Sequence, residues 1–148
     1  MRPVSLAEVA GLALLDGACF GMACDEFCDG FYLDFPERRL MQLRLEPVPG
    51  STGHAGHDAW IGAIGEHLAR RWQLQVPGWT QRDMHFALRR PVFMPPSRAL
   101  QSLLIAESPP AFRSRLIFTF AEPLQRARFP AGAEKVRMGW DEAGIAGT

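Results

Sequence analysis

Residues 58–72 read DAWIGAIGEHLARRW, and this stretch decides the fold class. Its large apolar side chains recur at intervals of three and four residues, which is the spacing of one helix face: Ile61, Ile64, Leu68 and Trp72. Glu66 and Arg70 fall off this apolar stripe. We therefore predict an amphipathic helix over 58–72 whose apolar side faces a hydrophobic core.

A second helix is predicted upstream, where apolar residues again share one helical face: Phe20, Cys24, Phe27 and Phe31. Cys24 lies on this stripe and Cys28 borders it, and the sequence contains no C-x-x-C pair. Because a buried free cysteine behaves as a small hydrophobic residue, we expect both thiols to pack in the core.

Capping signals place further helices around these two. Ser5 and Glu8 have the spacing of a capping box, which predicts a helix that starts at Ser5. Thr80, Ser97 and Ser108 each precede a short run with helical character, so we expect a short helix after each of them. The helix after Thr80 is predicted to extend to about residue 90.

The predicted fold class is mainly α, a single compact domain of five to seven short helices with at most one short β segment. Pro36 fits the first position of a helix that extends to Glu46. The β segment is expected within residues 116–120, which read LIFTF. Since one strand cannot make a sheet, the helices must build the core.

The chain divides by composition. We expect residues 1–130 to form the helical domain and residues 131–148, which contain four glycines, to form a flexible C-terminal tail. Within the domain, 1–46 is acidic, 47–57 is a loop rich in proline and glycine, and 58–130 is rich in arginine and aromatic residues.

The composition excludes several classes of protein. The 148 residues carry 16 basic and 16 acidic side chains, so the chain lacks the basic excess typical of nucleic-acid-binding domains. No stretch approaches the ~20 uninterrupted apolar residues of a membrane span. Three cysteines in one short segment do not indicate a disulfide framework, which favours a cytoplasmic location. No cofactor is predicted.

Three histidines form a candidate metal site: His54, His57 and His67. Asp58 and Glu66 lie near them in sequence, and zinc binds imidazole and carboxylate groups. However, the H-E-x-x-H pattern of zinc proteases is absent. The alternative is that these are ordinary histidines of a loop and of a helix edge.

Residues typical of protein interfaces crowd the middle of the chain. Aromatic side chains, methionine and arginine are enriched at such interfaces. The residues predicted to contact a partner are Trp79, Phe93, Arg113 and Arg115. The alternative is that a small helical core uses these side chains for packing. Motifs of nucleophilic catalysis or of phosphate-binding loops are absent from the sequence, so no catalytic residue is predicted.

Several segments together resemble one protein family: DEF at 25–27, DAW at 58–60, EHLA at 66–69, VP-x-W at 76–79, P-x-F at 91–93 and ESPPAFRSRLIF at 107–118. Over roughly residues 20–125 the chain resembles a group of small uncharacterised bacterial proteins from GC-rich genomes. Members of that group often sit beside a nucleotidyltransferase-like protein, in a pair that resembles a toxin–antitoxin module. The resemblance implies a bacterial protein partner of this kind and carries over no catalytic residue.

The predicted function is a non-enzymatic protein-interaction module, an antitoxin-like or regulatory partner in a two-protein bacterial system. Two alternatives stay open. Basic pairs with interleaved aromatic residues favour a DNA- or RNA-binding regulator, and the three histidines favour a small metalloprotein. Self-association of the chain stays open as well.

Overall fold

Helix α3 (Ala55–Arg71) is the longest helix in the part of the chain that the structure describes, and the other elements pack around it. The structure, a computed structural model, describes residues 3–33, 42–43, 46–47 and 52–126. The apolar stripe predicted for α3 is buried except at its last residue, which is half-buried. Burial extends around most of the helix, so α3 lies inside the fold rather than on its surface.

Helix α3 begins earlier than the sequence pattern predicts. His54 is its N-cap, and the Nδ1 atom of this residue accepts a hydrogen bond from the His57 backbone N–H at 3.1 Å. The first helical residue is therefore Ala55 rather than Asp58, inside the predicted loop 47–57. Histidine is not one of the usual capping residues, which is why the pattern missed this start.

Two glycines let α3 approach its neighbours closely. A Cβ atom at Gly62 would lie 2.6 Å from the Cβ atom of His85, and one at Gly65 would lie 2.8 Å from Cγ2 of Thr80. Both neighbours belong to a pair of 3₁₀ turns within residues 78–86. Any larger residue at these two positions would push the turns away from the helix.

The N-terminal helices cover another side of the core. Helix α1 (Leu6–Leu15) packs against α2 (Phe20–Leu33) and against α3. Ser5 Oγ accepts a hydrogen bond from the Glu8 N–H at 3.2 Å, as predicted for the cap. The Glu8 carboxylate accepts from the N–H of Val4 at 2.7 Å, one residue before the usual capping-box partner.

The apolar stripe predicted for α2 is buried, and so are the two cysteines near it. Burial raises the pKa of the Cys24 thiol well above its usual value and raises the pKa of Cys28 to about 12. Both thiols are therefore protonated at neutral pH. The prediction that they pack in the core is confirmed.

Four short elements form the C-terminal part. Strand β1 (Val92–Phe93) precedes helix α4 (Gln101–Glu107), helix α5 (Pro110–Arg113) and strand β2 (Ile117–Phe118). The two strands pair in parallel with their first residues opposite each other. The strand predicted within 116–120 therefore forms at the centre of that segment.

The predicted fold class is confirmed, because the described residues form five α-helices and one two-stranded sheet. The sequence pattern predicted at most one β segment and did not indicate β1, which has two residues and lies between Pro91 and Pro95. A segment this short shows no alternation of apolar and polar residues. None of the helices in the described ranges is long and apolar enough to cross a membrane.

The helix predicted from Thr80 to about Arg90 is wrong. The 3₁₀ turns end at Phe86, and the Thr80 hydroxyl donates to the carbonyl oxygen of Pro77 at 2.7 Å instead of capping a helix. Ser97 makes no side-chain capping bond, and a 3₁₀ turn separates it from α4. The capping signals therefore predict the positions of these turns, but they do not distinguish a 3₁₀ turn from an α-helix.

Two predicted elements fall largely or wholly outside the described residues. Only 42–43 and 46 are described within the predicted helix over 36–46, and the predicted tail 131–148 lies entirely outside. The extent of the domain over 1–130 stays a prediction.

Ser108 ties α4 to β2. Its buried hydroxyl donates to the carbonyl oxygen of Leu104 at 2.6 Å and accepts from the backbone N–H of Thr119 at 2.8 Å. Helix α5 has Pro109 as its N-cap, so the Ser108 side chain bridges two elements instead of capping the helix predicted after it.

We expect the Ser108→Ala substitution to lower the free energy of unfolding by about 1–3 kcal/mol, because the buried N–H of Thr119 loses its acceptor. Ser102→Ala is the matched control. Ser102 is exposed on the same helix, so its replacement should change stability by no more than about 0.5 kcal/mol. Urea denaturation measures both, and equal effects of the two substitutions would contradict the bridging role.

Candidate functional site

Arg115, one of the predicted partner contacts, lies in the core and is 1% exposed. Its Nη1 donates to Glu66 Oε1 at 2.8 Å and to the carbonyl oxygen of Ala111 at 2.7 Å. Its Nη2 donates to the carbonyl oxygen of Thr80 at 2.6 Å, and the guanidinium lies 4.2 Å from the ring centroid of Phe86. The guanidinium is therefore buried inside this fold rather than presented at its surface, and a role of Arg115 in partner binding stays a prediction.

Glu66 is the acidic partner of this buried arginine. Its carboxylate accepts hydrogen bonds from Gln81 at 3.0 Å, Arg115 at 2.8 Å and Arg70 at 2.9 Å. Burial by itself would raise the pKa of Glu66, but the bonds from Gln81, Arg115 and Arg70 outweigh it, and the pKa is lowered. Glu66 is therefore ionised at neutral pH and joins α3 to two other segments.

Trp79, another predicted partner contact, is also part of the core and is 5% exposed. Its Nε1 donates to the carbonyl oxygen of Leu43 at 2.8 Å, and its ring meets the edge of His85 at 5.2 Å between centroids. The ring also lies against Gly65, where an added Cβ would approach it within 3.1 Å. Trp79 is likewise buried rather than presented at the surface, and its role in partner binding also stays a prediction.

The other two predicted partner contacts remain accessible. Phe93 is half-buried and stacks on Phe118 with 5.2 Å between ring centroids. Arg113 is exposed, and its Nη2 donates to the carbonyl oxygen of Ser108 at 2.6 Å. A role in partner binding stays a prediction for both.

The structure does not bring the three candidate metal ligands together. His54 and His57 stack with 3.9 Å between ring centroids, and His57 stacks on Phe20 at 4.0 Å. His67 lies ten residues beyond His57, about 15 Å further along the axis of α3, where it is buried against Phe112. Among the described residues, no three His, Cys, Asp or Glu side chains are placed to share a metal ion.

His85 is a buried histidine that the sequence patterns did not single out. Its Nδ1 lies 2.7 Å from the carbonyl oxygen of Asp58, and its side chain packs against Gly62 of α3. Burial lowers the pKa of this imidazole. His85 therefore serves packing around α3, and no periodicity in its turn could have indicated this.

A groove of about 780 Å³ is the candidate functional site. It lies between the N-terminal ends of α2 and α3, strand β1 and residues 123–124. Its lining is mostly apolar, with the following side chains: Phe20, Trp60, Leu88, Val92, Met94 and Leu124. Asp25, His54 and His57 supply polar groups to the lining. Its volume and mostly apolar lining fall within the range of known ligand sites, which makes this groove the candidate.

One side of the groove, here called the β1 wall, consists of Leu88, Val92 and Met94. Val92 and Met94 are two residues apart in an extended segment, so their side chains share one face. Phe93 alternates with them and packs on Phe118 instead. Met94 is 46% exposed and Val92 is 36% exposed, so the wall presents uncovered apolar surface. The sequence prediction selected Phe93 and thereby missed its neighbours.

Two arginines adjoin the β1 wall in the chain. Arg89 and Arg90 are exposed and lie in the chain between Leu88 and Val92. Neither forms an ion pair within the described ranges of the chain. Residues 84–106 contain no aspartate or glutamate that could neutralise them. The groove thus combines apolar surface with positive charge that has no acidic partner in the described fold.

We expect Arg115→Met to lower the free energy of unfolding by about 3–5 kcal/mol, because it leaves the Glu66 carboxylate without its buried cation. Arg113→Met is the matched control. It removes an exposed guanidinium, so the loss should not exceed about 1 kcal/mol. Urea denaturation of both variants checks the difference, and a small effect at Arg115 would contradict the structural role.

His67 makes stability depend on pH. Burial and the nearby positive charge of Arg71 lower the pKa of His67 from 6.5 to about 4. Because the unfolded chain then binds a proton more tightly, stability should fall as the pH is lowered from 6.5 towards 4. Between pH 7 and pH 5 we expect the free energy of unfolding of the unsubstituted protein to fall by about 2 kcal/mol more than that of the His67→Leu variant. Equal losses in urea denaturation would show that this imidazole is not responsible.

No family model, curated protein or solved structure matches this chain. The relation to small bacterial proteins therefore stays a resemblance, and the geometry of the groove is the evidence from which a function is proposed.

Proposed function

We propose that this protein is a non-enzymatic interaction module that receives a segment of another protein in its apolar groove. The observation that carries the proposal is the β1 wall, where apolar side chains stand exposed beside a concave surface. Covering such surface is favourable by roughly 25 cal/mol for each Å² removed from water. Exposed apolar surface of this kind marks binding sites in many proteins.

The side chains of the groove suit a protein partner. Met94 is flexible and polarizable, and methionine is common on surfaces that accept peptide segments. Trp60 and Phe20 provide aromatic surface, and the exposed Arg89 and Arg90 lie between two lining residues in the chain. This combination of aromatic side chains, methionine and arginine is enriched in the cores of protein interfaces.

The sequence resemblance supports a more specific form of this proposal. In that form the protein is the antitoxin-like or regulatory partner of another bacterial protein, of the nucleotidyltransferase-like kind. The groove is compatible with such a role, since an interaction module needs a binding surface and no catalytic group. The exposed arginines favour nucleic-acid binding as the second candidate function.

We expect Met94→Asp to reduce the recovery of the partner at least about tenfold, because a carboxylate placed in an apolar contact loses water without gaining a partner. The measurement captures the tagged full chain from its source cells and quantifies the co-purified proteins by mass spectrometry. Steeply salt-dependent recovery of DNA or RNA instead would favour the second candidate function.

Leu15→Asp is the matched control for this experiment. Leu15 is 85% exposed at the end of α1 and lies outside the groove lining, so its replacement should leave recovery unchanged. The unfolding temperature of both variants is measured to show that they are folded. A partner that binds Met94→Asp at full strength, or that is lost equally with Leu15→Asp, would refute the groove as the binding site.

A further inference from the structure

We infer that the partner segment received by the groove is an apolar peptide whose apolar residues are flanked by carboxylates. This inference rests on the proposed function and adds the chemistry of the partner. It follows from the distribution of charge around the β1 wall.

Paired and unpaired arginines are unevenly distributed. Most of the arginines of the described chain have a carboxylate within ion-pair distance: Arg70, Arg71, Arg82, Arg115 and Arg126. The others have none among the described residues, and all of them fall within residues 89–113: Arg89, Arg90, Arg98 and Arg113. The unpaired positive charge is therefore concentrated in the part of the chain that contains β1.

Two of these unpaired arginines adjoin lining residues of the groove in the chain. Arg89 and Arg90 immediately follow Leu88, and Val92 comes two residues after Arg90. An apolar side chain that contacts Leu88 and Val92 therefore brings its own chain next to the backbone that carries both arginines. A carboxylate at those flanks would supply the acidic partner that the described fold does not provide.

The remaining ionisable groups of the groove do not cancel this charge. Asp25 lies in the lining, but its carboxylate is already paired with Arg126 at 3.3 Å. Burial lowers the pKa of His57, which favours the neutral imidazole. The β1 wall consequently has unpaired arginines beside it in the chain, whereas the acid of the lining on α2 is paired.

A peptide fits these features better than a nucleic acid does. Phosphates would pair with Arg89 and Arg90, but a phosphate backbone cannot cover the apolar side chains of Val92 and Met94. An apolar segment covers that surface, and its flanking carboxylates add orientation and a faster association rate. The apolar contacts carry most of the affinity, and the carboxylates select among apolar partners.

The first step of the test identifies the occupant of the groove. The photoreactive residue p-benzoylphenylalanine replaces Met94 in the full chain, which is then expressed and irradiated in its source cells. We expect a crosslink to a segment of another protein that has apolar residues with aspartate or glutamate on their flanks. A crosslink to nucleic acid, to a second copy or to residues 127–148 of the same chain would overturn the inference.

The second step tests the charge. A fluorescent peptide with the sequence of the crosslinked segment is titrated with the full chain, and binding is followed by anisotropy. We expect Arg89→Glu/Arg90→Glu to weaken binding about tenfold or more. Replacing the flanking acids of the peptide by lysine should restore binding to this variant.

Arg98→Glu/Arg113→Glu is the matched control, because it changes the net charge equally at two arginines that do not adjoin a lining residue in the chain. It should leave the affinity within about twofold, since an exposed charge that makes no direct contact with the peptide is screened by salt. If the peptide binds both double variants equally well, the inferred carboxylates on the partner segment are refuted while the proposed function stands. If no protein crosslinks at Met94, both the inference and the proposed function are refuted.

Discussion

The buried guanidinium of Arg115 is the constraint on which the rest of this structure depends. It joins α3 through Glu66, a 3₁₀ turn through Thr80 and helix α5 through Ala111. Removing a charge from water costs several kcal/mol, so the side chain stays buried only because these acceptors surround it. Leu116 follows directly with a φ of 65°, a conformation that costs a non-glycine residue about 1–3 kcal/mol. The contacts of Arg115 thereby fix the direction in which the chain enters β2.

The direction of β2 in turn places the β1 wall. The N–H of Val92 donates to the carbonyl oxygen of Leu116 at 2.8 Å, and the N–H of Met94 donates to that of Phe118 at 2.9 Å. In the described part of the chain, β2 is the only strand that pairs with β1. A groove that offers apolar surface to a partner is therefore held by a polar network in the core.

The sequence predicted the helices better than the site. The reason is how far apart in the chain the interacting residues lie. The stripes of α2 and α3 are local patterns, since each arises from residues three and four apart. Arg115 is buried because of Glu66, which lies 49 residues away. Trp79 is buried partly through a bond to Leu43, 36 residues away. Arginine is exposed in most proteins, so no local pattern could indicate that this one is not.

Docking of a partner protein against the β1 wall is tested most directly by amide hydrogen exchange of the full chain, measured alone and with the captured partner bound. We expect exchange to slow at residues 53–57 and 88–94 when the partner binds, because residues of both segments line the groove. Exchange in α1 should stay the same. Slower exchange confined to α1, or unchanged exchange at the groove while the partner is bound, would contradict this placement of the binding site.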